Sequence, residues 1–364
     1  MTRSHASSIA QALTAALLFG ASAPLAKLLL GEVEPILLAA LLYLGSGIGL
    51  LGIEALRERD PRASHGEARI GRSDLPWLAG AILAGGVAAP IVLLFSLRET
   101  PAATAALLLN LEGVATTLIA ALAFKEAISR GAWWAIGLLA LSGILLSADF
   151  EAGWGFSPAA FGIIAACVLW GLDNNLTRHI SAKNPLTIVT VKGLAAGSLS
   201  LAMAILAGNN VPGPAVMLGA MLLGCLSYGV SIVLFIRAMR GLGAARTSAL
   251  FGTAPLAGVA LSLGLFREWP GWLFLLALPV MIAGTLLLLR EQHEHHHVHE
   301  AAVHEHSHSH DDGHHDHSRP GAAPGMHSHV HQHDELPHAH HHMPDLHHRH
   351  VHGAGSARRK THKA

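Results

Sequence analysis

The chain has 364 residues, of which 51% are hydrophobic and only 13% charged, about half the charged share of an ordinary soluble domain. A formal net charge of zero argues neither for nor against nucleic acid, and none is expected as a partner. The two cysteines, Cys167 and Cys225, both sit inside apolar runs, which excludes a cysteine-rich zinc module and speaks against a disulfide framework.

An apolar run of about 20 residues crosses the ~30 Å hydrocarbon core of a bilayer as a helix, and ten such runs follow one another. The first two cover about 8–30 and 33–54. Arg3, the apolar stretch after it and Ala21-Ser22-Ala23 imitate a secretory signal with its cleavage site. The same segment returns later as part of a repeat, so it is read as a spanning helix. The one long internal gap, about 55–74, is polar and basic. Runs three to five cover 75–97, 101–124 and 131–149. Runs six to ten cover 157–177, 186–207, 213–237, 243–265 and 270–290. The chain then changes character. Of its 28 histidines, only His5, His65 and His179 precede His293. Residues 291–364 offer almost nothing to bury and are expected to be disordered.

The Lys and Arg residues set the orientation. With the N-terminus inside, the inner loops and helix ends receive Arg57, Arg59, Arg62, Arg69, Arg72, Lys125, Arg130, Arg178, Lys183, Arg237, Arg240, Arg246 and Arg290, and the outer side only Lys27, Arg98 and Arg267. Ten is an even number, so both termini and the histidine-rich tail are expected in the cytoplasm, with the body in the cell inner membrane.

The body is internally duplicated. "LAFKEAISRGAWWAIGLLALSGILL" (122–146) lines up with "LGLFREWPGWLFLLALPVMIAGTLL" (263–287), and Phe124-Lys125-Glu126 answers Phe266-Arg267-Glu268. "LFGASAPLAK" (18–27) matches "LWGLDNNLTR" (169–178), and Pro35 falls near Pro185. The fold class predicted is therefore an all-α polytopic membrane protein of two five-helix repeats, about 8–149 and 157–290, followed by the tail 291–364. An odd number of helices per repeat inserts the second copy upside down. Inverted repeats of this kind place a substrate site at the repeat interface near the midplane.

Ten helices, paired five-helix halves and the F-[KR]-E ending of helices four and nine resemble the EamA-type transporters of the drug/metabolite transporter superfamily. So do the small-residue starts "PAATAALLLNLEG" (101–113) and "GAARTSALFGTAP" (243–255). The resemblance covers about 8–290 and implies an inner-membrane carrier that exports amino acids, metabolites or drugs. Cargo has to be argued from the site, because one fold hosts many functions.

No G-x-x-x-x-G-K-[ST] loop occurs, and no Ser-His-Asp grouping suggests catalysis. No enzyme is expected, and energy has to come from a gradient. Ionisable residues within spans are expensive and mark function by default. Here they are Glu112, Asp173 and Lys192, with Lys27, Arg98 and Arg246 nearer helix ends. At a rise of ~1.5 Å per residue, Glu112 lies roughly 16 Å from the outer face and Asp173 about 24 Å. Lys192 stands roughly 9 Å above the inner face on the next helix, so Asp173 and Lys192 share a depth and can pair, for structure or for function. Glu112 has no evident partner and is a candidate for substrate or proton binding. Asn110 lies two residues away on a different side of the helix. Asn174 and Asn175 break the apolar pattern as a partly unwound or cavity-facing stretch would. Trp170 and Tyr228 are candidate cargo contacts, although such rings more often pack. Glu126 and Glu268 read as interfacial structure. Gly45-x-x-x-Gly49 and Gly193-x-x-x-Gly197 let helices approach closely.

In the tail, His304, His306, His308 and His310, and again His327, His329, His331 and His333, recur at every second residue. Several imidazoles can share one ion, and imidazole suits Ni, Co, Zn or Cu without a decisive preference. No cofactor is required, but tail-bound metal is expected. A metal-moving core should show His, Cys, Asp or Glu clustered inside its helices, and this body does not. Two functions stay open: a gradient-coupled exporter of a small organic solute, and a divalent-metal (Ni/Co/Zn) exporter loaded by the tail. Partners are the small-molecule substrate and the lipid bilayer, with a homodimer left open.

Overall fold

The computed structural model describes residues 3–58, 70–124, 130–149, 155–180, 183–242, 247, 250–267 and 271–290, and within the tail 294–299, 302–308, 327–333 and 336–341. Eight helices are long and apolar enough to cross a membrane: α1 (Ala6–Leu29), α2 (Pro35–Ala55), α3 (Arg72–Glu99), α4 (Ala102–Ala123), α5 (Arg130–Ser147), α6 (Pro158–Arg178), α7 (Pro185–Leu206) and α8 (Pro214–Met239). Two shorter apolar helices, α9 (Ala254–Phe266) and α10 (Trp272–Leu287), complete the ten. Proline stands in the first turn of α6, α7 and α8, where its missing N–H costs nothing. Ser157 and Asn184 cap α6 and α7, the first accepting from the Ala160 amide and the second from those of Leu186 and Thr187. The halves meet at a two-residue strand pair, β1 (Ala148–Asp149) with β2 (Gly155–Phe156).

Packing follows a pseudo-two-fold axis between the halves. Helix α2 packs on α7, α4 on α9 and α5 on α10, each on its own counterpart. Further contacts exchange in pairs: α1 with α8 and α6 with α3, α1 with α9 and α6 with α4, α2 with α8 and α7 with α3. Glycines make these approaches close. A Cβ on Gly45 would run into Met221 of α8, one on Gly49 into Cys225, and one on Gly193 or Gly197 into the backbone of α2. Gly20 and Gly171, which correspond in the two repeats, each bring a helix onto the backbone of its neighbour: Gly20 onto Ala254 of α9, Gly171 onto Ala115 and Thr116 of α4.

Backbone irregularities obey the same axis. Helix α3 opens into a π turn over Ile82–Ala88 and its counterpart α8 over Cys225–Val230. Helix α4 tightens at Leu109 and Asn110, where Asn110 N–H bonds Leu107 and Glu112 N–H bonds Leu109 in i→i+3 fashion. The approach to α9 does the same, with Thr253 N–H bonded to Leu250. Helix α6, by contrast, runs unbroken through Asn174 and Asn175. The expectation there is a partly unwound or cavity-facing stretch; it is not unwound, and Asn175 donates its amide to the Gly171 carbonyl of its own helix at 2.8 Å.

Disorder is the expectation for the tail, yet its described residues pair. β3 (Glu294–His299) lies antiparallel to β6 (Leu336–His341), and β4 (Ala302–His308) to β5 (His327–His333). The histidine alternation has the period of a strand, and His304, His306 and His308 stand in register with His331, His329 and His327. His333 is opposite Ala302, and His310 lies outside the described residues.

Candidate functional site

The Asp173 carboxylate of α6 is bound by the Lys192 ammonium of α7 at 2.6 and 2.7 Å through both oxygens, with side chains only 8% and 16% exposed. Thr177, one turn along α6, donates to Asp173 Oδ1 at 2.9 Å and lies 3.5 Å from the ammonium. The shared depth inferred from residue counting is real, and the pair links two consecutive helices. It sits hard against α3: a Cβ on Gly85 would collide with the Asp173 carboxyl, so glycine at 85 is what lets the charged group close onto the π turn.

Glu112 finds its partner on α6. Asn174 donates its amide to Glu112 Oε1 at 2.9 Å and approaches Thr116 Oγ1 at 3.1 Å, and Asn175 donates to the Thr116 carbonyl at 3.0 Å. Thr116 in turn donates to the Glu112 carbonyl at 2.9 Å. Counting residues from the helix starts separates Glu112 and Asn174 by roughly 9 Å in depth. The contact shows that α4 and α6 do not start in one plane. Glu112 stands in the first turn after the break at Leu109 and Asn110, so Asn110 belongs to the break that delivers Glu112 to α6. Glu112 also lies within electrostatic reach of both Asp173 and Lys192, so the charged groups form one cluster on α4, α6 and α7.

An aromatic wall adjoins the cluster. The Gly85 carbonyl, in the α3 π turn, accepts from Trp170 Nε1 at 2.9 Å and from Tyr43 Oη at 2.7 Å. The Tyr43 ring stacks on Tyr228 at 5.8 Å between centroids, Tyr228 meets Phe19 edge-on at 6.1 Å, and Phe19 continues to Phe251 at 5.3 Å. Trp170 and Phe19 correspond in the two repeats, as do the π turns holding Gly85 and Tyr228. Tyr43, Gly85, Thr116, Thr177 and Phe19 are absent from the candidates read off the sequence. The chain's only two tyrosines facing each other is the one signal that composition offers for Tyr43.

The remaining charges do other work. Lys27 donates to the carbonyls of Leu97 and Thr100 at 3.0 and 2.5 Å, which places a cation on the C-terminus of α3. Arg98 pairs with Glu34 at 2.8 Å, and Lys183 with Asp74 at 3.7 Å. Lys125, Glu126, Arg246 and Glu268 lie outside the described residues. Among the described residues no three His, Cys, Asp or Glu side chains are grouped to hold a metal ion.

Bonded amides around a carboxylate, a buried ion pair and ring faces thus lie together on α2, α3, α4, α6, α7 and α8. Comparison with known proteins agrees with the architecture. A solved structure described only as a protein crystal structure shares 23% identity over 78% of this chain and 97% of its own, with a TM-score of 0.57, a likeness of fold. An uncharacterized transporter of Methanothermobacter thermautotrophicus is 31% identical over 268 residues, covering 70% of this chain and 78% of the relative. The EamA-like transporter family matches twice, over 6–148 and 157–290, one match per five-helix half. The chain belongs to the EamA-like transporter family and is a multi-pass membrane transporter.

Proposed function

We propose that this carrier exports a small organic solute, of the class of amino acids, metabolites or drugs, and that a gradient drives it. The observation that carries the reading is the Asn174–Glu112 hydrogen bond, made where α4 is broken and α6 is not. Asn174 is not covered by the rest of the protein on α6 although it lies within a spanning segment. A polar side chain facing hydrocarbon is costly even when its amide is bonded, and polar residues at such depth face the bundle interior or water. The Glu112 carboxylate is the acceptor for a cargo amine or for a proton. The rings of Trp170, Tyr43 and Tyr228 give an apolar cargo part a surface at low entropy cost. In this reading both termini are cytoplasmic in the inner membrane.

The tail favours a second reading, a Ni, Co or Zn exporter loaded from residues 291–364. We assign the tail the binding of such metals and the core the organic cargo. Proteoliposomes given labelled amino acids in one arm and Ni, Co or Zn in another, with and without residues 291–364, separate the two. Organic flux that survives tail removal in metal-free buffer supports the first reading. Flux of metal that disappears with the tail supports the second. Within the first, Glu112→Gln removes the charge but keeps the Asn174 contact. A hydrogen bond to a charged group contributes about 1.5–3 kcal/mol, so organic flux should fall by about tenfold or more in protein of unchanged melting temperature. Undiminished flux would remove Glu112 from the site.

A further inference from the structure

The geometry points to Lys192 as a tethered cation: its ammonium fills a small monovalent-cation site built from the Asp173 and Thr177 oxygens. Three oxygens of one helix turn converge on Lys192 Nζ, Asp173 Oδ1 at 2.6 Å, Asp173 Oδ2 at 2.7 Å and Thr177 Oγ1 at 3.5 Å. All are hard oxygen donors of the kind that hold alkali and alkaline-earth ions. The ammonium arrives from the neighbouring helix rather than from solution, and its stem enters from α7, so the same positive charge is present whatever the salt outside.

Burial makes the assignment sharp. A carboxylate out of water has to be neutralised, by pairing, by a bound cation or by taking up a proton. Asp173 is 6% exposed, and Gly85 presses α3 against it with no room for a Cβ. The groups facing it are Lys192 from α7, Thr177 from its own helix and the uncharged Gly85 from α3, with Glu112 of α4 and Tyr43 of α2 within electrostatic reach. Once the lysine is gone, the buried Asp173 carboxylate needs another cation or a proton. The pseudo-two-fold counterpart of Asp173 is Ser22, by the match of 18–27 with 169–178, so the cation site exists on one side of the axis only. The intact carrier needs no sodium at this position.

The test is thermal unfolding of full-length protein in detergent, which does not depend on knowing the cargo and so fails separately from the transport reading. Wild-type protein and Lys192→Arg should melt at the same temperature in sodium chloride and in choline chloride. Lys192→Ala should melt well below wild type in choline and rise by about 5 °C or more in about 150 mM sodium or lithium chloride. The Asp173→Asn/Lys192→Ala double variant should lose that response. Equal rescue of Lys192→Ala by choline and sodium overturns the proposal. So does rescue by acidification alone, which would mean that Asp173 takes a proton instead. So does a Lys192→Ala protein that cannot be folded even in sodium.

Discussion

Gly85 has no side chain, and three helices depend on that. Its carbonyl is the common acceptor for Trp170 of α6 and Tyr43 of α2, and its bare Cα admits the Asp173 carboxyl. Asp173 cannot retreat from an added methyl, since Lys192 holds it from the other side at 2.6 Å. Gly85→Ala should therefore cost about 1–3 kcal/mol of overpacking. Gly137→Ala, where a Cβ meets nothing within 4 Å, should be neutral or gain up to about 1 kcal/mol from helix propensity. Melting temperatures of the two variants, prepared alike, check the contrast, and equal melting would mean that the π turn yields freely. This residue also marks the limit of reading side chains from sequence. Asp173 and Lys192 were legible because charges in hydrocarbon stand out and their depths agree. Gly85, with no charge and no side chain, gives no such signal. Glu112 was legible as a candidate, but its partner was not, because residue counting assumes that all helices begin in one plane.

Helix by helix, hydropathy finds eight spanning helices within a few residues, from Ala6–Leu29 to Pro214–Met239, and the shorter tenth at Trp272–Leu287, because length and apolarity alone define a crossing. The ninth, expected over 243–265, is described as helix only over Ala254–Phe266. Hydropathy does not find the π turns of α3 and α8 or the tightened turns at Leu109–Asn110 and before α9, since these change backbone hydrogen bonds and leave side-chain polarity untouched. Packing of α8 against α1, by comparison, uses two hydroxyls with visible partners. Ser227 donates to the Leu18 carbonyl at 2.7 Å and Ser231 to that of Ala15 at 3.0 Å, one on each side of the α8 π-turn boundary. Interhelical hydrogen bonds in membranes average about 0.6 kcal/mol. Ser227→Ala with Ser231→Ala should thus lower stability by about 1 kcal/mol, a fall of roughly 2–4 °C. A fall much larger than that would mean that the two bonds also hold the π turn open.

At the scale of the whole molecule, the chain is a symmetric membrane body joined to a segment built on another principle. The body was legible as a duplication because both copies keep the same helix starts and ends. The tail was legible in composition but not in form, since its low apolar content argues against a packed core and says nothing of strand pairing at period two. Among the described residues of the tail, β3 pairs with β6 and β4 with β5, and the second repeat is complete by the end of α10. Removing residues 291–364 should therefore leave membrane insertion and the melting temperature of the core nearly unchanged. The same removal should abolish most binding of Ni or Zn at neutral pH, measured by calorimetry on the two proteins side by side. Metal ligation requires neutral imidazole and so competes with protons. Imidazole protonates near neutrality, and the intact protein should release its metal as pH falls below about 6. Metal binding that persists in the truncated protein would place a metal site in the body. A truncated protein that fails to insert would show that the tail contributes to the fold of the bundle, and the two parts would then have to be treated as one.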